Sequence, residues 1–275
     1  MADIDLSGRV VAITGAARGI GRATAQACAK AGMRVAIGDL DPELSAEAAA
    51  RIDGQTVGLT VDVRQRASFD TFLTQAEERL GPLDILINNA GVLFLGPYLD
   101  EALAHTQRMV EVNLGGTLTG SQLALARFVP RGRGHIVNVA SSAGQIAPAG
   151  GATYAATKHG VVGFTRALRG EVRAAGVRTT IVMPGVISTE MIGGFAAARG
   201  TRIVEPSAVA EAIVRALATG RAEVFVPPEL GLPARLVAGL PPRASDAIKR
   251  ALRADRVMVD ADRSARTAYE QRASE

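Results

Sequence analysis

The sequence predicts an α/β protein: a doubly wound sheet of seven parallel strands with helices on both faces, followed by a helical C-terminal extension. Three observations carry this prediction. Between residues 9 and 226, short apolar runs rich in β-branched residues alternate with longer alanine-rich stretches of helical period. A glycine-rich segment stands between the first run and the first helical stretch, where such sheets turn at their carboxyl ends. No linker rich in Pro, Gly or Ser interrupts the alternation and no internal repeat is visible, so residues 1–228 read as one domain and 229–275 as its extension.

In chain order the strands are expected at Arg9 to Ile13, Arg34 to Gly38, Thr56 to Val61, Asp84 to Asn88, Gly134 to Ala140, Arg178 to Met183 and Ala222 to Val226. Most are nearly unbroken apolar runs, the pattern of strands covered on both faces, and helices between them make the pairing parallel. Long helices are expected over 105–129 and 152–175. Past Val226-Pro227-Pro228 come an apolar stretch from Leu232 to Leu240, a Pro241-Pro242 break, and a helix with Ala244, Ala247, Ile248, Ala251 and Leu252 on one face. The opposite face carries Lys249, Arg250, Arg253 and Arg256.

Composition excludes several classes. With 275 residues, 48% of them hydrophobic, the chain can bury a large core and is not disordered. Its longest apolar runs, such as Val10 to Ile13, are too short to span a bilayer, and the acidic N-terminus lacks the apolar stretch of a secretory signal. A cytoplasmic location is expected, in keeping with the lone Cys28, which reads as a buried packing residue. The net charge of +4 is scattered and aromatic content is 4%, a poor basis for nucleic-acid binding. His105, His135 and His159 lack metal-ligand spacing, so no metal site is expected; they read as surface or cofactor-side residues.

Directly after the first strand comes Thr14-Gly15-Ala16-Ala17-Arg18-Gly19-Ile20-Gly21. Glycines here permit a tight turn and let a pyrophosphate approach the amides at a helix N-terminus, as in a Rossmann-type dinucleotide site. The second strand leads to Asp39, eighteen residues past Gly21. A carboxylate there accepts hydrogen bonds from ribose hydroxyls and repels a 2′-phosphate, which favours NAD over NADP. Arg18 pulls the other way, since a cation beside that ribose accommodates the phosphate.

Tyr154 and Lys158 stand four apart, in a chain with only three tyrosines and three lysines against twenty-eight arginines. Arg so outnumbers Lys that a lysine here suggests a compact ammonium is required. On a helix the two share one face, and the cation would lower the phenol's pKa toward working pH for proton exchange with an alcohol or carbonyl. Taken alone, the pair is equally consistent with a snorkelled surface pair.

Together these motifs resemble the short-chain dehydrogenase/reductase family, in its compact single-domain branch, over residues 7 to about 228. In the resemblance, Asp62-Val63 corresponds to an adenine contact, and Asn88-Asn89-Ala90-Gly91 to the segment that steadies the sheet beside the cofactor. Pro184-Gly185-Val186-Ile187-Ser188-Thr189 corresponds to the grip on the nicotinamide carboxamide. Ser141, thirteen residues before Tyr154, matches the catalytic serine; the neighbouring Ser142 and the strand residue Asn138 are left structural roles. Asn113, in Val-Asn-Leu-Gly, matches the asparagine that holds a water in the proton relay. The implied mechanism has Tyr154 exchange the proton of a secondary alcohol or ketone, Lys158 bind the nicotinamide ribose and lower the phenol's pKa, and Ser141 hold the substrate oxygen. The resemblance also implies a homodimer or homotetramer.

The loops Val92 to Leu95, Gly144 to Thr153 and Glu190 to Gly200 are dominated by small and apolar residues. They favour an apolar alcohol or ketone of steroid, terpenoid or fatty type, although such loops also line subunit contacts. For the extension, a lid over the cleft, a subunit-docking helix and a weak peripheral contact with an anionic membrane remain open. Two alternatives to an NAD-dependent dehydrogenase also stay open: an NADPH-dependent carbonyl or 3-oxoacyl reductase, and a non-catalytic NAD(H)-binding redox sensor.

Overall fold

A computed structural model describes residues 4–195, 202–251, 258–259, 261–262 and 264–274, with the side chain of Lys249 left aside. Its centre is a sheet of β1 (Val10–Thr14), β2 (Arg34–Asp39), β3 (Thr56–Thr60), β4 (Ile85–Asn88), β5 (Gly134–Val139), β6 (Val177–Pro184) and β7 (Glu223–Val226). The strands run parallel in the order β3-β2-β1-β4-β5-β6-β7. The chain winds outward from β1 in one direction, then returns and winds outward from β4 in the other. That reversal leaves a crevice at the carboxyl ends of β1 and β4, where parallel sheets bind ligands.

The helices that follow are α1 (Gly19–Lys30), α2 (Pro42–Ala50), α3 (Arg66–Leu80), α4 (Leu103–Met109), α5 (Gly116–Phe128), α6 (Ala143–Ile146), α7 (Ala152–Val172), α8 (Pro206–Thr219), α9 (Gly231–Gly239), α10 (Pro242–Ala251) and α11 (Thr267–Ser274). Period-two alternation divides each strand between two cores. Val11, Ile13, Val35 and Ile37 face one side with Cys28 of α1 and Val209 and Ile213 of α8. Val10, Ala12, Ala36 and Leu86 face the other, against Phe69 and Phe72 of α3 and Phe128 of α5. Each of these phenylalanines is wholly buried and contributes about 2–3 kcal/mol. Gly38 is what lets α3 close on β2, because a Cβ there would lie 2.7 Å from both Phe72 and Val61.

Local signals set the helix ends. The Asp41 carboxylate accepts the Glu43 and Leu44 amides at 3.0 and 3.1 Å, capping α2, and Pro42 occupies its first position. Pro206 opens α8, and Gly220 closes it in the left-handed conformation at φ +68°.

One expectation needs correction and two take a sharper form. The long helix expected over 105–129 runs without a break to Phe128 but is not uniformly α: a wide π turn, Val110–Gly115, joins α4 to α5. The extra residue shifts the phase of the second half and leaves its period intact, so the composition carries no mark of it. His135 lies neither at the surface nor beside the cleft; it is buried in β5, 2.8 Å from Thr180 Oγ1. Finally, the apolar face of α10 lies open: Ala244 and Ala247 are exposed, Ser245 is buried, and Ile248, at the margin of exposure, lines the cleft. Leu252, Arg253 and Arg256 lie outside the described residues.

Candidate active site

From Thr14 the chain turns through Gly15 and Gly19, at φ +62° and +52°. These are conformations that glycine alone adopts readily. A side chain at Gly21 would overlap the Gly15 carbonyl and the Asn89 amide, so the first turn of α1 sits directly on the loop. Asn89 Nδ2 donates to the carbonyls of Thr14 and Gly15, each at 2.9 Å, and Thr14 Oγ1 accepts the Asn89 and Ala90 amides at 3.1 Å. These bonds lock the end of β4 to the loop, leaving the helix N-terminus facing the crevice, where its dipole favours an anion.

Asp39 ends β2. Its carboxylate accepts the Ala17 amide at 3.1 Å and the Leu40 amide at 2.9 Å. Burial raises its pKa, opposed by those amides and by the charge of Arg18. The Arg18 guanidinium reaches the other way, to Glu190 at 3.8 Å. Asp62 is engaged by Arg64, which grips both carboxylate oxygens at 2.8 to 3.1 Å. Burial acts to raise the Asp62 pKa, but the Arg64 contacts outweigh it and hold the carboxyl below its usual range.

Ser141, Tyr154 and Lys158 converge where β5 gives way to α7. All three are buried, so Tyr154 and Lys158 are not a surface pair. Lys158 Nζ donates to the Val139 carbonyl at 3.0 Å and lies 5.7 Å from the centre of the Tyr154 ring. Burial pushes the phenol up to about 12, opposed by a hydrogen bond with the Ser141 side chain, and pushes the ammonium down to about 8. The lowered phenol pKa anticipated beside a lysine is therefore not produced by these residues alone: burial raises it, and the Ser141 hydrogen bond offsets only part of that rise. Ser141 Oγ also accepts the Ala143 amide at 3.1 Å. Ser142 instead uses its amide to join the β6 end, donating to the Pro184 carbonyl at 2.8 Å.

Asn113 sits in the π turn, a distortion frequent at functional sites. Its amide clamps the Val92 backbone, with Oδ1 accepting at 2.8 Å and Nδ2 donating at 2.9 Å. A Cβ on Gly91 would lie 3.3 Å from Asn113 Oδ1 and 3.5 Å from Lys158 Nζ, so both groups press on that glycine. Asn138 forms a buried polar chain with Asn88 and Thr165, each link 2.8 Å.

One cleft of about 1650 Å³ gathers these groups. Gly15, Arg18, Gly19, Ile20, Gly21, Asp39, Asp62, Val63, Asn89, Ala90, Gly91, Ser141, Tyr154, Lys158, Pro184, Gly185, Ile187 and Thr189 all line it. Asn113 does not; it lies wholly buried behind the wall. The 184–189 segment is held by a bridge between Ile187 and Val204 and by the Gly185 amide donating to Val226 at 2.8 Å. The shape of the cleft is compatible with a dinucleotide: it is lined by the glycine loop, the Asp39 carboxylate, apolar walls at Val61, Val63 and Ile187, and Tyr154. Ile146, Leu230, Pro233 and Val237 continue the wall beyond Tyr154. Part of the expected substrate loop, residues 196–200, lies outside the described residues.

Sequence reasoning missed Arg266, Tyr269 and Ala273 of the C-terminal segment, which pack beside Leu93 at the wall of the cleft. Arg266 is fully buried, and Tyr269 and Ala273 line the cleft. The available signals were Tyr269, third of three tyrosines, and the helical spacing of Arg266 and Glu270.

Comparison with known proteins agrees with this geometry. The chain is 34% identical over 227 residues to the ketoacyl reductase HetN of Nostoc sp., covering 80% of this chain and 79% of that protein. It is 31% identical over 251 residues to estradiol 17-beta-dehydrogenase 11 of Rattus norvegicus, covering 89% and 84%. A short chain dehydrogenase/reductase of Burkholderia phymatum, solved in complex with NAD, superposes with a TM-score of 0.79 at 25% identity, covering 90% and 96%. Residues 9–199 match the profile of the short chain dehydrogenases, and with the superposable fold this means that the chain belongs to the short-chain dehydrogenase/reductase family.

Proposed function

We propose that the protein is an NAD(H)-dependent oxidoreductase acting on an apolar secondary alcohol or ketone. The observation that carries this reading is the burial of Ser141, Tyr154 and Lys158 side by side at the end of a dinucleotide-shaped cleft. A bound nicotinamide supplies the hydride acceptor or donor and, when oxidised, a positive charge. Tyr154 takes the alcohol proton or returns it to the carbonyl oxygen. Ser141 orients that oxygen and stabilises the charge developing on it. Lys158 holds positive charge 5.7 Å from the centre of the phenol ring, and the Ser141 hydrogen bond opposes the rise that burial imposes on the phenol. Asn113 steadies the Val92 backbone through both ends of its side-chain amide, and in the proposed relay it would hold a water between Lys158 and solvent.

Asp39 supports NAD, because a carboxylate at the β2 end repels a 2′-phosphate; Arg18, 3.8 Å from Glu190, is the cation that opposes this preference. The apolar wall from Ile146 to Val237 supports a lipophilic substrate. A second reading, reduction of a 3-oxoacyl group, draws on the similarity to a ketoacyl reductase. Turnover of lipophilic secondary alcohols with NAD, compared between the wild type and Tyr154→Phe, tests the proposal. The variant should bind NADH as the wild type does and lose on the order of a hundredfold or more in kcat. Unimpaired turnover by Tyr154→Phe would overturn the acid/base role, and preference for a small charged alcohol would overturn the substrate class.

A further inference from the structure

One buried cation ties the C-terminal segment to the substrate end of the cleft. The Arg266 guanidinium donates to the carbonyls of Met191 at 2.6 Å, Leu93 at 2.9 Å and Gly193 at 3.2 Å, and its Nε pairs with Glu270 at 3.0 Å. A charge stripped of water is tolerated only where its N–H groups are met in this way. The residues it joins follow β4 and β6, the two strands whose ends frame the cleft. Tyr269 stacks over the guanidinium at 5.2 Å, and its hydroxyl accepts the Leu93 amide at 2.9 Å. One turn further along α11, Ala273 enters the same apolar cluster as Tyr154, together with Leu93, Phe94 and Met109. Arg272 binds Glu190 at 2.6 Å, and Arg108 donates to the Ser274 carbonyl. The segment is thus pinned at both ends, with two side chains on the cleft beside the reacting phenol.

The two sides of Tyr154 differ. Toward α11 it shares an apolar cluster with the buried Leu93, Phe94, Met109 and Ala273 and the partly buried Tyr269. Toward α9 the wall is formed by apolar residues of a helix whose outer side is open, with Leu232 and Leu236 69% and 61% exposed. We propose that Tyr269 and Ala273 are specificity-determining residues: they close a small pocket beside Tyr154 that admits only the shorter substituent of a secondary alcohol or ketone and directs the longer one toward α9. The inference rests on the function proposed above and adds to it the shape of the substrate, an unsymmetrical carbinol with one short arm.

The test uses the full chain with NAD and two alcohols of similar lipophilicity, methyl hexyl carbinol and dibutyl carbinol. The quantity read is the ratio of their kcat/KM values, with NADH binding by fluorescence titration as the control for an intact cleft. The wild type should prefer the methyl carbinol. Tyr269→Ala should lower the ratio by about tenfold or more, and Ala273→Leu should raise it by at least about threefold, the scale of adding or removing methylene contacts in an apolar pocket. The opposite signs keep the test decisive if one variant does not fold. Ratios within about twofold of wild type in an active variant that binds NADH would overturn the proposal while leaving the oxidoreductase reading intact. Wild-type protein that binds NADH but turns over no alcohol or ketone would overturn the reading on which it rests.

Discussion

Replacing Lys158 with Met should stabilise the protein while abolishing its turnover. Lys158 is buried, and its pKa is pushed from the ordinary 10.5 down to about 8. Holding the ammonium there at neutral pH opposes folding by about 3 kcal/mol. Methionine fills a similar channel without charge. It forfeits the 3.0 Å hydrogen bond to the Val139 carbonyl, a loss of about 1–2 kcal/mol. The balance is a gain of about 1–2 kcal/mol, which for a chain of this size raises Tm by about 2–4 °C. The sign of the pH dependence follows from the direction of the shift. Folded Lys158 binds protons less tightly than the unfolded chain does, so wild-type stability rises as pH climbs from about 8 to about 10.5, and the advantage of the variant should shrink over that range. Thermal melts followed by circular dichroism, without cofactor, measure both effects. A variant that melts below wild type, or an advantage that does not change with pH, would refute the view that this ammonium is held at a cost.

Three further outcomes can be checked separately. His135 is buried, and burial first, then the charge of Arg178, pushes its pKa from 6.5 down to about 4. The unfolded chain therefore binds the extra proton, and up to about 3 kcal/mol of stability present above pH 6.5 is lost as pH falls toward 4. Urea titrations should show wild type weakening more steeply than His135→Asn across that window; parallel curves would contradict a neutral buried imidazole. Asp39→Ser should lower the preference for NADH over NADPH by at least about tenfold, read by fluorescence titration of both, and an unchanged ratio would remove Asp39 from the ribose contact. Gly120→Ala should cost about 1–3 kcal/mol in chemical denaturation, because a Cβ there would overlap Asn88 Oδ1 and the Phe69 ring; a neutral substitution would mean that α5 can shift off the sheet.

The sheet was legible because its strands are covered on both faces. Val10 to Ile13 and Ile85 to Ile87 read as unbroken apolar runs, and each strand begins and ends within one residue of its expected place. The glycine loop and Asp39 were legible because backbone close approach and carboxylate recognition leave fixed residue types at fixed spacing. Tyr154 and Lys158 stood out against a background poor in both types, yet their burial, and the pKa changes that follow from it, depend on β5 and α7 packing together. The C-terminal segment was the least legible. The amphipathic pattern of α10 left a lid, a docking helix and a membrane contact open, whereas the anchor of the extension is a charged side chain, Arg266, whose partners include Leu93, far away in sequence. No local period reports a contact of that kind. The clamp of Asn113 on Val92 escaped notice for the same reason: the π turn that places it has no compositional signature.

The most direct test of hydride transfer at this cleft is isotopic. Protein with NAD and a lipophilic secondary alcohol deuterated at the carbinol carbon should yield NADH carrying that deuterium, with a primary isotope effect in a single turnover, and Tyr154→Phe should slow that turnover by on the order of a hundredfold or more. Protein that binds NADH yet leaves the deuterium on the alcohol and the aldehydes and ketones of a broad lipophilic panel unreduced would contradict it, and would mark the molecule as a binder of the nucleotide rather than a catalyst.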